Sequence, residues 1–117
     1  MSHEFDVVVE EENDLATVFR VTGRLDAKNA QELLRKAKDA RERGKKRLII
    51  NLAQVSFVAS SGIGALLALT EEFQDLGGAV HLVALSEAVS SVVELLNLTQ
   101  FLRIGENERE VLQALGA

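Results

Sequence analysis

Two serines and two glycines lie together near the middle of the chain, in Ala59-Ser60-Ser61-Gly62-Ile63-Gly64. They follow an apolar run typical of a strand and precede apolar residues at helical spacing, so we expect them at the start of a helix. Hydroxyls at a helix N-terminus lie beside free backbone amides and the positive end of the helix dipole. Such a corner can hold an anion or carry a phosphorylated hydroxyl. Alternatively, Ser60 or Ser61 only caps the helix and the glycines only permit tight packing.

Other motifs that bind phosphate or activate a serine do not fit this segment. A P-loop needs a lysine after its last glycine, and no lysine follows Gly62 or Gly64. A dinucleotide-binding loop needs a third glycine, and a nucleophile elbow needs Gly-x-Ser-x-Gly. No histidine is close to Ser60 in sequence, and we expect His81 to be a sheet-face residue in the middle of a strand. The sequence therefore predicts no catalytic residues and no enzymatic activity.

Asp26 is the second candidate, because it follows a predicted strand at the edge where α/β domains place functional loops. Asn29 and Glu32 have the spacing of a capping box, so we expect Asn29 to cap the first helix and leave Asp26 free for function. An Asx-type turn between strand and helix is the alternative role for Asp26. A ligand-binding or catalytic pair of Asp26 and Ser60 is a weaker hypothesis, because neither a base nor a metal set is near.

Composition limits what the chain can do. Its 117 residues, 47% hydrophobic and 26% charged, predict one folded domain over residues 1–117. The absence of cysteine and the wide separation of His3 and His81 argue against disulfides, a metal site and a cofactor. Apolar runs are too short to span a bilayer, and the polar N-terminus is unlike a secretory signal. We therefore expect a cytoplasmic protein that does not insert into membranes.

The net charge of −5 argues against direct binding of nucleic acid, which requires a basic surface. Basic residues do crowd between Arg35 and Arg47. We interpret this segment as a solvated helix face, because it has no aromatic side chains on which bases could stack.

Strand and helix patterns alternate in the order ββαβαβαβα, which predicts an α/β fold. Its sheet would be mixed but mostly parallel, with an N-terminal hairpin, and packed against helices. The predicted strands are Phe5–Val9, Leu15–Thr22, Arg47–Leu52, Ala79–Ala84 and Phe101–Ile104. We expect an acidic turn at Glu10–Asp14, a loop at Ala53–Ser60, and helix caps at Ser86 and Asn107.

Over nearly its whole length the chain resembles the STAS-domain anti-sigma factor antagonists, also called anti-anti-sigma factors. The segments that carry the resemblance are Val21–Asp26, Ile49–Leu52, Val55–Gly64 and the Gly77-Gly78 turn. The resemblance implies a single STAS domain that binds an anti-sigma factor and so releases a sigma factor. It implies that the anti-sigma factor is also a serine kinase, of the histidine-kinase-like ATPase type.

By position, the resemblance implies phosphorylation at Ser60, with Ser61 as the second choice. The phosphate would end the interaction until a serine phosphatase removes it. The implied partner-binding residues are Asp26, Ala59, Ser60, Ser61, Gly62 and Ile63. The family commonly has an aspartate immediately before the phosphorylated serine, whereas this chain has Ala59. The alternative is therefore a STAS interaction or scaffold module that is not phosphorylated, in a stressosome-like assembly or with a transporter.

Overall fold

The alternating patterns of the sequence form one five-stranded sheet with helices against it in the computed structural model, which describes residues 7–116. The strands are β1 Val7–Glu12, β2 Thr17–Leu25, β3 Arg47–Val58, β4 Ala79–Val83 and β5 Arg103–Gly105. The helices are α1 Ala27–Glu42, α2 Ser60–Asp75, α3 Glu87–Leu95 and α4 Glu108–Gly116, with a 3₁₀ turn at Thr99–Phe101. None of the helices in residues 7–116 has an apolar stretch of the length that a bilayer requires.

The strands lie in the order in which the chain makes them, β1-β2-β3-β4-β5. The β1–β2 pair is antiparallel and the other pairs are parallel, which confirms the predicted mixed sheet with an N-terminal hairpin. Parallel crossovers are right-handed, so three crossovers in the same direction place α1, α2 and α3 on one face of the sheet. The helix α4 packs on the other face.

Each face of the sheet has its own hydrophobic core. The larger core lies under α1, α2 and α3 and includes the fully buried Phe19, Leu33 and Phe73. The smaller core lies under α4, where Val111 packs against Ile49 and neighbouring strand residues. Helices therefore cover both faces of the central strands in this single domain.

Glu108 ties the start of α4 to the sheet. Its carboxylate accepts hydrogen bonds from Arg20 Nε at 2.8 Å, Arg20 Nη2 at 2.7 Å and Asn51 Nδ2 at 2.7 Å. The hydrogen bonds from Arg20 lower the pKa of Glu108, partial burial opposes this effect, and the Asn51 bond adds to the lowering. As predicted, Asn107 caps the helix, its side chain accepting from the backbone N–H of Glu110 at 2.8 Å.

We expect Glu108→Gln to destabilise the fold by about 1–2 kcal/mol at pH 7, because the amide keeps the side-chain shape but loses the charge and replaces one of the two acceptor oxygens by a donor. The carboxylate of the wild type stabilises the fold above its ordinary pKa of 4.5, and this stabilisation is lost as the pH falls through the lowered folded value. Urea unfolding at pH 7 and below pH 4.5 measures both effects. The exposed Glu110→Gln is the control, and equal losses in the two variants would contradict the assigned role.

The predicted acidic turn at Glu10–Asp14 is wrong, because β1 continues through Glu12 and the connection to β2 runs from Asn13 to Ala16. Glu10 and Glu12 accept from Arg43 at 2.5 Å and 2.7 Å. Strand pairing together with these ion pairs explains why acidic residues remain in a strand. Phe5 and Asp6, at the start of the first predicted strand, lie outside the described residues.

The ion pairs of Arg43, with those of Arg35 to Glu32 and Arg41 to Glu72, neutralise much of the basic segment. This arrangement agrees with its interpretation as a solvated helix face. Acidic partners also leave less of its positive charge for a phosphate backbone.

The predicted loop at Ala53–Ser60 is also wrong for most of its length, because β3 extends to Val58. The pairing of β2 with β3 shifts register twice, between Arg20 and Thr22 and between Gly23 and Arg24. These irregularities break the apolar alternation of the sequence, although the strand continues. At the other end of the sheet, β5 begins at Arg103, and Phe101 lies in the 3₁₀ turn.

Candidate functional site

The predicted corner between strand and helix forms where β2 and β3 end side by side. The backbone N–H of Ala59 donates to the carbonyl of Leu25 at 3.0 Å. Asp26 follows Leu25, and Ser60 follows Ala59, so neighbouring parallel strands deliver all these residues to one edge of the sheet. We call Asp26, Ala59, Ser60 and Ser61 the serine corner.

The residues predicted to bind a partner differ in exposure. Ser60 and Ser61 are exposed, and Asp26 and Ala59 are half-buried, so another protein can reach all four. Gly62 and Ile63 are buried in the first turn of α2. Partner contact through Gly62 and Ile63 stays a prediction, and their burial does not favour it.

The interpretation of Ser60 or Ser61 as the helix cap is wrong. The N-cap of α2 is Ala59, at φ −92° and ψ 168°, and it makes no side-chain capping bond. The first turn is tightened instead by a bond from the Gly62 N–H to the Ala59 carbonyl, at 2.9 Å. In contrast, side chains cap α1 and α3. The start of α2 therefore lacks a side-chain acceptor, and neither serine hydroxyl is used as one.

We expect Ala59→Asp to stabilise the fold by about 1 kcal/mol, because Ala59 already has the extended backbone of an N-cap and lacks only the acceptor. An aspartate there also interacts favourably with the helix dipole. Chemical unfolding of both proteins measures the difference. Ala59→Asn is the matched control, since it caps without a charge and separates the two contributions. Unchanged stability in both variants would show that the helix start does not need the acceptor.

The predicted capping role of Asn29 is wrong, and Asp26 caps α1 instead. Asp26 Oδ1 accepts from the Asn29 backbone N–H at 3.2 Å and from Asn29 Nδ2 at 3.2 Å. The Asn29 side chain also donates to the carbonyl of Arg24 at 2.8 Å. The capping-box spacing predicted the wrong cap because the helix begins at Ala27, three residues before Ala30, the first buried residue of the helix.

The pKa of Asp26 is lowered, first by the hydrogen bond from the Asn29 backbone. Desolvation opposes this shift, while the Asn29 side chain and the positive charge of Arg24 add to it. Asp26 is therefore a carboxylate at neutral pH, and the serine corner carries a negative charge before any modification. Its contact with a partner stays a prediction.

Sequence reasoning missed a cation stacked on an aromatic ring beside the corner. The guanidinium of Arg24 lies 4.2 Å from the centroid of the Phe57 ring, and these residues are register partners on β2 and β3. Arg24 Nε also lies 3.8 Å from Asp26 Oδ2. Phe57 is 41% exposed. The sequence signal was Phe57 itself, three positions before Ser60. Because Phe57 was predicted to lie in a loop, no residue on a neighbouring strand was considered as its partner.

Gly62 sets the distance between α2 and the end of β2. A Cβ atom at this position would lie 2.4 Å from the Leu25 carbonyl oxygen and 2.8 Å from Leu25 Cγ. Only a glycine allows the helix start to approach the strand this closely. A Cβ atom at Gly64 would have no neighbouring atom within 4 Å. Gly62 therefore sets how closely the start of α2 approaches Leu25, the residue before Asp26, whereas Gly64 has no such packing role.

His81 lies in the middle of β4, as predicted, and not beside Ser60. Burial lowers its pKa, and the positive charges of Arg103 and Arg47 lower it further. Among residues 7–116, no group of three or more acidic or histidine side chains is arranged to hold a metal ion. Within that range, then, the serine corner has neither a histidine base nor a metal cluster to activate a hydroxyl.

Solved structures share this fold. The crystal structure of an anti-sigma factor antagonist from Mycobacterium paratuberculosis is 22% identical, with a TM-score of 0.85, and the match covers 99% of this chain and 98% of that chain. The phosphorylated form of the Bacillus cell fate determinant SpoIIAA is 23% identical, with a TM-score of 0.74, and the match covers 93% and 99%. The unphosphorylated form of SpoIIAA is 23% identical, with a TM-score of 0.78, and the match covers 95% and 98%.

At these identities the neighbours show a common fold. The STAS domain model matches residues 6–111, a range that contains every strand described above and the serine corner. The chain therefore belongs to the STAS domain family.

Proposed function

We propose that the chain is an anti-sigma factor antagonist, which binds an anti-sigma factor through the serine corner until phosphorylation of Ser60 ends the binding. The observation that carries the proposal is the exposed Ser60 at the first position of α2, a helix start without a side-chain cap at the sheet edge where Asp26 also lies. Family membership supports it, as do structural neighbours described as anti-sigma factor antagonists. SpoIIAA, which has the same fold, is known in an unphosphorylated and a phosphorylated form.

Electrostatics explains how a phosphate on Ser60 would oppose binding. It adds a charge of about −1.5 to −2 and three strong acceptor oxygens. In the free protein, the uncapped amides and the dipole of α2 stabilise these oxygens. In a complex, the phosphate would have to lose water next to the carboxylate of Asp26. Phosphorylation therefore stabilises the free state relative to the bound one.

The proposed partner is an anti-sigma factor that is also a serine kinase of the histidine-kinase-like ATPase type. The phosphoryl-transfer chemistry then belongs to the nucleotide site of the partner, which must place its γ-phosphate in line with the Ser60 hydroxyl. A serine phosphatase restores the binding form. In this scheme the chain acts in the cytoplasm as a regulated binding module without catalysis of its own.

The first test is capture from a lysate of the source cells, with identification of the bound proteins and then addition of ATP. We expect the wild type to capture a histidine-kinase-like ATPase and to gain one phosphate on Ser60. Ser61→Ala is the matched control and should still be phosphorylated, whereas Ser60→Ala should not. Failure to capture such an ATPase would contradict the proposal.

Ala59 favours a second candidate, the STAS interaction or scaffold module that is not phosphorylated. Without the aspartate that the family commonly has at this position, the corner has lost one carboxylate that could assist recognition by a kinase or handling of a metal. The capture experiment separates the two candidates, since a scaffold would bind its partners and remain free of phosphate.

A further inference from the structure

A groove of about 410 Å³ lies along α2 beyond the serine corner. Its lining residues are Leu67, Thr70, Glu71, Gln74, Leu98 and Phe101. Phe101 is 60% exposed, although it is a large apolar side chain. The groove therefore lies between α2 and the turn that precedes β5, with apolar side chains from both (Leu67, Leu98 and Phe101) and polar side chains from α2.

The groove continues the surface that begins at Ser60. Along α2, the residues Ser60, Gly64, Leu67, Glu71 and Gln74 follow one another at spacings of four, three, four and three, and so share one stripe of the helix. At a rise of about 1.5 Å per residue, this α2 stripe is about 21 Å long. Between Ser60 and the groove lies the exposed Gly64, whose missing side chain leaves the path open.

The serine corner alone is too small for a stable complex. A specific protein interface buries about 800 Å² on each partner and uses about 20–30 residues per side. The corner has four residues, two of them half-buried. A partner at Ser60 must therefore contact adjoining surface, and the α2 stripe supplies it with an apolar depression at its far end.

The charge of the groove indicates the chemistry of the occupant. Glu71 is exposed at the groove wall, and no cation in the described part of the chain lies within ion-pair distance of it. We infer that the partner that binds the serine corner also inserts a large apolar side chain between Leu67 and Phe101, and places a lysine or arginine against Glu71. This inference rests on the proposed function, and it adds a second contact site on the same partner.

The probe is the ATPase captured by the wild type, purified and titrated against variants of the full chain. We expect Phe101→Ala to weaken its affinity about tenfold or more, because large side chains in apolar pockets carry much of the binding energy. Glu71→Lys should weaken it about fivefold, with a smaller effect at high salt. The matched controls are Leu95→Ala, an exposed apolar residue outside the groove lining, and Asp75→Lys on the same helix.

The outcomes separate the groove from the serine corner. If Ser60→Asp weakens binding about 100-fold while Phe101→Ala and Glu71→Lys bind like the wild type, the groove inference is overturned and the proposed function stands. If no ATPase is captured, both fall together. A second copy of the chain is the other candidate occupant of the groove, and sedimentation of the free chain tests for it. A dimer that Phe101→Ala dissociates would assign the groove to that second copy and overturn the inference. Thermal unfolding confirms that each variant is folded.

Discussion

Replacement of Gly62 by alanine is expected to destabilise the fold by about 3 kcal/mol, the range of severe overpacking in a core. The new Cβ would approach the Leu25 carbonyl oxygen to 2.4 Å, and a backbone oxygen cannot move aside without loss of strand pairing. The first turn of α2 would have to move away from β2, which would also separate Ser60 from Asp26. Chemical unfolding measures the lost stability.

Gly64→Ala is the matched control, since both glycines lie in the first turns of one helix. Its Cβ meets nothing within 4 Å, so we expect a gain of about 0.5–1 kcal/mol from the better helix propensity of alanine. Opposite signs for the two variants are the expected result. Equal changes in stability would mean that α2 can shift away from Leu25 at little cost, and that the close contact does not require a glycine at position 62.

Ser60→Asp is expected to weaken binding of the captured ATPase about 100-fold, because it buries an unpaired carboxylate beside Asp26 in the interface. The same charge at the first position of α2 is favourable in the free protein, so its thermal midpoint should stay the same or rise. Ser60→Ala removes only a hydroxyl and should bind like the wild type. Isothermal titration with the purified ATPase measures all three affinities.

Ser61→Asp is the control for charge alone, since it moves the carboxylate by one helical position, about 100° around the axis of α2. We expect it to weaken binding much less than Ser60→Asp. Equal losses at both positions would assign the effect to the net charge of the corner. Equal affinities of Ser60→Asp and Ser60→Ala would contradict the proposed gate.

Much of the fold could be predicted because the apolar periodicity is strong. The apolar run over Ile49, Ile50 and Leu52 predicted β3, the helical pattern after Ile63 predicted α2, and similar patterns along the chain predicted the element order and the mixed sheet. What the sequence could not show was the extension of β3 to Val58, since two register shifts against β2 break the alternation. Strand ends depend on the partner strand, which is a tertiary effect.

The site was predicted in its position but not in its capping. The sequence placed Ser60 at the start of a helix and Asp26 at the exit of a strand, and the bond from the Ala59 N–H to the Leu25 carbonyl puts both residues at the same edge of the sheet. The cap of α1 was assigned to Asn29 and not to Asp26, and that of α2 to a serine and not to Ala59. In each case the candidates are close in sequence, and only the backbone angles decide which residue ends the extended segment. Gly62 gave no signal of its own, because its role depends on the distance to Leu25.

The order of the strands has a consequence for how the protein is made. Every strand from β2 to β5 pairs with the strand that precedes it, so each of these four strands has a partner that is already synthesised. Each parallel pair of strands is joined by a connection that contains one α-helix, so the entropy lost in bringing the two strands together is modest. Because synthesis proceeds from the N-terminus, each new strand finds the partner at its edge of the sheet already made. Both strands that hold the serine corner are therefore synthesised before β4.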